Sequence, residues 1–445
     1  MKRILLCVGV SALLAGSPSL AKDHKSTTQQ TSRQELVPAP LRSDAAAPVP
    51  AHPSPYNFPG VAYPRIEEDS RVTFQFKAPN AQKVQVAIAN VPYDMVKGDN
   101  GVWTYTSDPQ APGYHNYWMV VDGAVVLDPG TNAFIGYGHM CNGFEIPEPG
   151  VTFYDLKDVP HGNVVIKNYF AKTSNSWRHI FIYTPPGYEK GSARYPVFYL
   201  QHGGGEDERV WTEMGRTNLI LDNLLAEGKV KPMIVVMETS AVGPPPVRPA
   251  TPPPTAGAAP AAGAPRGGGF PGMAAAGGAY GKLMINDLIP WVDSNFRTIP
   301  DKDHRAMAGL SMGGFMTASV TMSNLDKFSY IGLFSGGTAA GFGAGGRGSP
   351  VPVNAPPPQP ATLDLKTIYS GAMADPATFN KEVKVFFFSC GTEPPLENPA
   401  ALKKHQEQLI AAGITNSYLY ISPGTSHEWQ TWRRSLYVFA PLLFR

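Results

Sequence analysis

Ser311 lies in the stretch AGLSMGG (308–314), after an apolar run and ahead of a segment with helical spacing. Where a strand must turn into a helix within one residue, glycines are needed around the turn. A serine at its tip then stands clear of the backbone as a nucleophile elbow. A hydroxyl is a poor nucleophile until a base takes its proton. The base that goes with such a turn is a histidine late in the chain, with an acid between the two in sequence. His427, in SPGTSHEWQ, has that order and follows the last strand-like run on a loop. His202 and His304 flank strands, His115 belongs to an N-terminal β-rich region, and His405 falls mid-helix, where a surface or packing role is expected. The acid must hold the imidazole and stabilise its charged form. The loop GTEPPLENP, after VKVFFFSC, offers Glu393 as first candidate and Glu397 as the reserve.

Acyl transfer at such a serine needs backbone N–H donors aimed at the developing oxyanion. Met312, next to the nucleophile, supplies one. The second is expected from QHGGGEDE, after the strand YPVFYLQH, at Gly204 or Gly205, with His202 and Gly203 shaping the turn.

The elements that must position these groups are legible as patterns. From about residue 150 short apolar runs (YPVFYLQH, KPMIVVME, HRAMAGLS, YIGLFSG, VKVFFFSCG, SYLYIS) alternate with helical segments (TNLILDNLLAEG, YGKLMINDLIPWVDSNF, NPAALKKHQEQLIAAG). Near-continuous apolar strands alternating with helices call for a mostly parallel sheet covered on both faces. Asn398 reads as an N-cap, Pro399 as the first helical residue, Gly413 as the helix end and Pro290 as a kink. Residues 61–148 read instead as short alternating strands, with Asp122-Gly123 as a hairpin turn, and so as a small β-sandwich in which Trp103, Tyr117 and Trp118 are read as core rather than as a sugar-binding platform. Two Gly/Pro/Ala-rich insertions, 241–278 and 336–362, interrupt the α/β region of 149–445 after strands. Their composition buries too little apolar surface to order them. They are read either as mobile walls beside the site or as loops without a role.

The chain has 445 residues, 43% hydrophobic and 16% charged, enough for one large and one smaller core. A formal net charge of +2 without a Lys/Arg stripe gives no electrostatic case for nucleic acid. Lys2 and Arg3, a short apolar run and Ser19-Leu-Ala21 read as a secretory signal over 1–21, followed by a Pro/Ala-rich linker over 22–60. A secreted or periplasmic bacterial protein without stable membrane insertion is expected; the other reading of that run is an uncleaved anchor. Cys7 leaves with the signal. Cys141 and Cys390 remain, free or paired, and no Cys/His spacing suits a metal. No metal or organic cofactor is expected.

Residues 151–445 resemble the esterase D-type α/β-hydrolases, specifically secreted feruloyl and acetyl-xylan esterases. The resemblance rests on YTPPGYEKGSARYPVFYLQHGGGEDERVWTEMG, RAMAGLSMGG and GTSHEWQTWRRSLYVFAPLLF. VTFQFKAPNAQKVQV, GVWTYT and PGYHNYWMVVDG resemble the glycogen-binding-type, immunoglobulin-like modules attached to many secreted carbohydrate-active enzymes. The resemblance implies Ser311 as nucleophile, His427 as base, and Met312 with the HGGG turn as oxyanion donors. It departs at the acid loop, where the family's usual aspartate falls near Pro394. It implies a serine carboxyl-ester hydrolase acting on feruloyl or acetyl esters of plant-wall xylan, with an ester-decorated polysaccharide as partner. Trp429, Trp211 and His202 are candidate substrate contacts, and Trp432 is read as packing. The family also contains siderophore (enterochelin-type) esterases. The unusual acid loop motivates a further alternative, a carbohydrate-binding protein with an impaired hydrolase domain.

Overall fold

The five residues Val197–Gln201 are all buried, because their side chains alternate between two separate cores. Phe198 and Leu200 face a cluster with Trp211, Trp429 and Phe439, whereas Val197 and Tyr199 face one with Tyr280, Leu288 and Met316. A strand with apolar surface on both faces must lie inside a sheet that is covered on both sides. The computed structural model, which describes residues 49–242, 270–338, 363–394 and 396–445, has that sheet.

Its strands are β1 (Asn163–Ala171), β2 (Ser176–Thr184), β3 (Val197–Gln201), β4 (Ile234–Glu238), β5 (Arg305–Leu310), β6 (Tyr330–Phe334), β7 (Val385–Gly391) and β8 (Ser417–Ser422). The spatial order is β1-β2-β4-β3-β5-β6-β7-β8. β2 is antiparallel to both its neighbours and all other pairs beyond it are parallel. The loops after β3, β5, β7 and β8 therefore emerge at one edge, the edge where sites of open α/β sheets form.

The helix starts and stops follow local rules. Asn398 Oδ1 accepts from the Ala401 N–H (3.0 Å), Pro399 opens the helix Pro399–Ala411, and Gly413 beyond its end has φ +95°. Pro290, read as a kink, does not break the helical run. It lacks an N–H, and a π-turn over Met284–Leu288 leads into the final segment Ile289–Asn295. The helix Phe270–Leu283 begins inside the stretch expected to be an unordered insertion. The remainder of that insertion (243–269), most of the second (339–362), the signal (1–21) and most of the linker (22–48) lie outside the described residues.

The N-terminal region is a sandwich of two antiparallel sheets, one ordered His52–Pro53, Arg65–Ile66, Val72–Lys77, Val102–Thr106, Val96–Lys97, the other Ala133–Gly136, His139–Ile146, Gly113–Val121, Val84–Ile88, Val91–Asp94. His52–Pro53 belongs to the stretch read as linker and here pairs with Arg65–Ile66. Tyr56 and Asn57 hold it down through hydrogen bonds to Glu145, Val61 and Pro64. Asp122 (φ +48°) and Gly123 (φ +87°) form the two-residue turn, with Val121 paired to Ala124. Trp103, Tyr117 and Trp118 are buried, as core residues should be.

Candidate active site

Ser311 sits between β5 and the helix Met312–Met322 with φ 51° and ψ −115°, a conformation that costs a non-glycine residue about 1–3 kcal/mol. The neighbours that hold it there are glycines for a measurable reason. A Cβ on Gly336 would lie 2.2 Å from the Ser311 carbonyl oxygen, and one on Gly313 would lie 2.4 Å from the His202 carbonyl oxygen. The helix and the loop after β3 are thus in backbone contact.

Ser311 Oγ donates to His427 Nε2 at 2.9 Å. His427 lies on the loop after β8, and its Nδ1 donates to Glu397 Oε1 at 2.8 Å. The Glu397 side chain is 2% exposed and the His427 ring 14%. The structure therefore puts Glu397, the reserve, on the imidazole in place of Glu393. The reason is the path of the loop. Gly391 ends β7 so tightly against the loop that carries His427 that a Cβ would lie 2.1 Å from the Thr425 carbonyl oxygen. Glu393 continues that contact, donating its N–H to Thr425 O (2.9 Å), and its side chain turns outward to accept from Thr392 Oγ1 (2.9 Å). The chain returns to the sheet edge only at Glu397, directly before the N-cap Asn398.

Gly204 and Gly205 behave differently. A Cβ on Gly204 would meet nothing nearer than Met312 Cβ at 3.9 Å, so its backbone stands open beside the elbow. Gly205 (φ +79°) faces the sandwich: its carbonyl accepts from the Gly138 N–H at 2.9 Å. The Met312 N–H opens its helix and has no carbonyl one turn behind it. Glu206, which sequence reasoning did not single out, braces the loop by accepting the Gly203 N–H at 2.8 Å, and burial pushes its carboxyl up to about 8.

The three expected substrate contacts are built into the core instead. His202 is 3% exposed, donates Nδ1–H to Gly203 O (2.7 Å) and accepts the Ser240 N–H at Nε2 (3.1 Å). Burial holds it below its ordinary pKa, so it stays neutral and ties the loops after β3 and β4 together. Trp211 and Trp429 are also buried. They belong to an edge-to-face series running His427–Trp432 (5.2 Å), Trp432–Trp429 (5.2 Å) and Trp429–Trp211 (5.4 Å), and Trp211 Nε1 donates to Gln201 O at the end of β3 (2.8 Å). These rings support the imidazole from behind. A Trp at helical spacing after a loop histidine carries no local mark separating support from substrate contact. Cys141 and Cys390 are both free and buried.

A sheet of this order, with a serine on the turn after β5, a carboxylate after β7 and a histidine after β8, defines an α/β-hydrolase. The chain belongs to the esterase family: the family model described as "Putative esterase" matches residues 171–441. It is 35% identical over 402 residues to a protein of Xylanibacter ruminicola named endo-1,4-beta-xylanase/feruloyl esterase, covering 88% of this chain and 47% of that one. It is 23% identical over 308 residues to endo-1,4-beta-xylanase Y of Acetivibrio thermocellus, covering 65% of this chain and 24% of that one. The chain thus spans less than half the length of either relative. The crystal structure of enterochelin esterase from Shigella flexneri shares the fold, with a TM-score of 0.55 at 15% identity over 83% of this chain and 91% of that one.

Proposed function

We propose that this esterase is a secreted serine carboxyl-ester hydrolase that works through an acyl-enzyme and releases feruloyl or acetyl groups from plant-wall xylan. The observation that carries the mechanism is the unbroken hydrogen-bond series Ser311–His427–Glu397. Ser311 Oγ attacks the ester carbonyl carbon while His427 Nε2 takes its proton. Glu397 keeps the other ring proton on Nδ1 and stabilises the imidazolium. The Met312 and Gly204 N–H groups hold the oxyanion, with Gly205 shaping the turn. The tetrahedral intermediate collapses, the C–O bond to the alcohol breaks, and His427 returns the proton to the leaving oxygen. Water then repeats the sequence on the acyl-enzyme and frees the acid and Ser311. No metal or organic cofactor enters these steps.

The substrate class is supported by the 35% identical relative named as a xylanase/feruloyl esterase and by the sandwich in front of the hydrolase sheet. Secretion is supported by the basic-then-apolar N-terminal stretch; among the described residues no helix is long and apolar enough to cross a membrane. Against the impaired-hydrolase alternative stands the carboxylate of Glu397, which the unusual acid loop brings to His427.

The test sets methyl ferulate, an aryl acetate and a catecholate trilactone side by side, for wild type and Ser311→Ala. Wild type should hydrolyse the first two and lose on the order of a million-fold in rate in the variant. Preference for the trilactone would favour the siderophore-esterase reading, and equal slow rates in both proteins would end the enzymatic one.

A further inference from the structure

The helix Trp429–Phe439 begins two residues after His427, and its inner face is held by two carboxylates that come from the sandwich side of the chain. Arg433, fully buried, forks onto Glu145 of the strand His139–Ile146, with Nη1 to Oε1 at 2.5 Å and Nη2 to Oε2 at 3.2 Å. Its Nε donates to Met214 O at 2.8 Å. Glu145 also accepts from Tyr56 Oη (2.9 Å) and Arg216 Nη2 (3.2 Å). Burial alone would raise this carboxyl, but the two guanidiniums hold it below its ordinary range and keep it ionised.

Glu148, just past that strand and 2% exposed at its side chain, makes the second grip. One oxygen takes Arg434 Nη2 and the other takes Gln430 Nε2. Arg434 does not stop at the carboxylate. Its Nη1 donates to Pro423 O (2.8 Å) and Ser422 Oγ (3.2 Å), the residues where β8 runs out into the loop that carries His427. Within that loop Thr431 Oγ1 ties Thr425 Oγ1 (2.7 Å) and Ser426 O (2.5 Å) to the same helix. A guanidinium with one nitrogen on a fixed carboxylate and another on the root of a loop is a rigid fork that sets where the loop begins.

We propose that Glu148, acting through Arg434, is a positioning residue for His427, so that the sandwich is part of the hydrolytic site's scaffold and the hydrolase sheet without it does not hold the base in register. The opposite wall points the same way. The sandwich turn Tyr137-Gly138 meets the oxyanion loop, where a Cβ on Gly205 would lie 2.6 Å from Gly138 N. This role presupposes acyl transfer at Ser311 and His427, and it makes a statement about geometry: Glu148 touches no substrate, so its loss should move kcat and leave KM in place.

The experiment uses the full chain with an aryl acetate, comparing wild type, Ser311→Ala, Glu148→Gln and the double variant Glu148→Gln/Arg434→Met. The double variant removes a buried ion pair together, which folds tolerate far better than an unpaired buried charge. Thermal unfolding of each protein gives the folded fraction, to which kcat is normalised. Misplacing a catalytic group by an ångström costs roughly a hundredfold. A drop in kcat of about tenfold to a hundredfold is therefore expected in the folded variants, with KM changed by less than about twofold. The double variant should lose about as much as the single, because the two residues act as one unit. A folded double variant with wild-type kcat overturns the proposal, as does a kcat loss accounted for by unfolded protein. If Ser311→Ala is as active as wild type, the acyl-transfer site itself fails, an outcome distinct from both.

Discussion

Glu397 Oε1 lies 2.8 Å from His427 Nδ1, with the carboxylate shut away from water and the imidazole 14% exposed at the sheet edge. A buried carboxylate in this place holds one ring tautomer, the one whose Nε2 accepts the Ser311 proton. Glu397→Gln is therefore expected to lower kcat for an aryl acetate about ten-thousand-fold with little change in KM, and Glu393→Gln to lie within about threefold of wild type. Steady-state rates of the two purified variants decide it. Equal mild losses would remove Glu397 from the mechanism.

The elbow depends on glycine at a contact between two backbones. Gly313→Ala would place a methyl carbon 2.4 Å from His202 O and 2.8 Å from Gln201 O. Since neither atom belongs to a flexible side chain, the helix or the loop after β3 must move. A loss of about 1–3 kcal/mol in stability is expected, with a larger fractional loss of kcat than of folded protein. Thermal melts paired with rates on the same samples would show it.

Stability should fall on the acid side because of His405. It is buried mid-helix against Phe388, and burial pushes it down to about 4 from 6.5. Between those values the unfolded chain takes up a proton that the folded protein refuses, so stability is lost as pH falls through the window. His405→Leu should flatten the denaturant midpoint across pH 4–6.5. An unchanged slope would refute it.

Glu206 acts with the opposite sign. Its carboxyl keeps its proton in the fold up to about 8, against 4.5 when unperturbed. Unfolding between these values releases a proton, so stability declines as pH rises through that range and levels above it. Glu206→Gln should gain on wild type steadily over the range, as read from denaturant midpoints at matched ionic strength.

Cys141 and Cys390 should be unreactive thiols in the native protein. Burial pushes Cys141 up to about 12 and raises Cys390 as well. A thiol reagent should label both only after denaturation, and reductant should leave the melting temperature unchanged. Labelling of either in the native state would contradict the burial.

The sharp turn at Ser311, the loop histidine His427 after the last strand and the alternation of strands and helices were all readable from residues a few positions apart, because backbone conformation and periodicity are encoded locally. Asn398 and Gly413 marked the ends of one helix, and Asp122-Gly123 one turn, for the same reason. The choice between Glu393 and Glu397 was not readable, since it depends on how a loop crosses Thr425 before turning back. Trp211, Trp429 and His202 have the composition of a binding wall, yet folding packs the two Trp rings edge to face, ties the buried His202 to Gly203 and Ser240, and leaves the open backbone of Gly204 at the surface. Nothing in the local pattern of Glu145 or Glu148 signals that they would grip arginines nearly three hundred residues away. Side-chain chemistry is written in each residue, but which chemistries meet is settled by packing between distant segments, where burial leaves a charge only the partners that the fold brings to it.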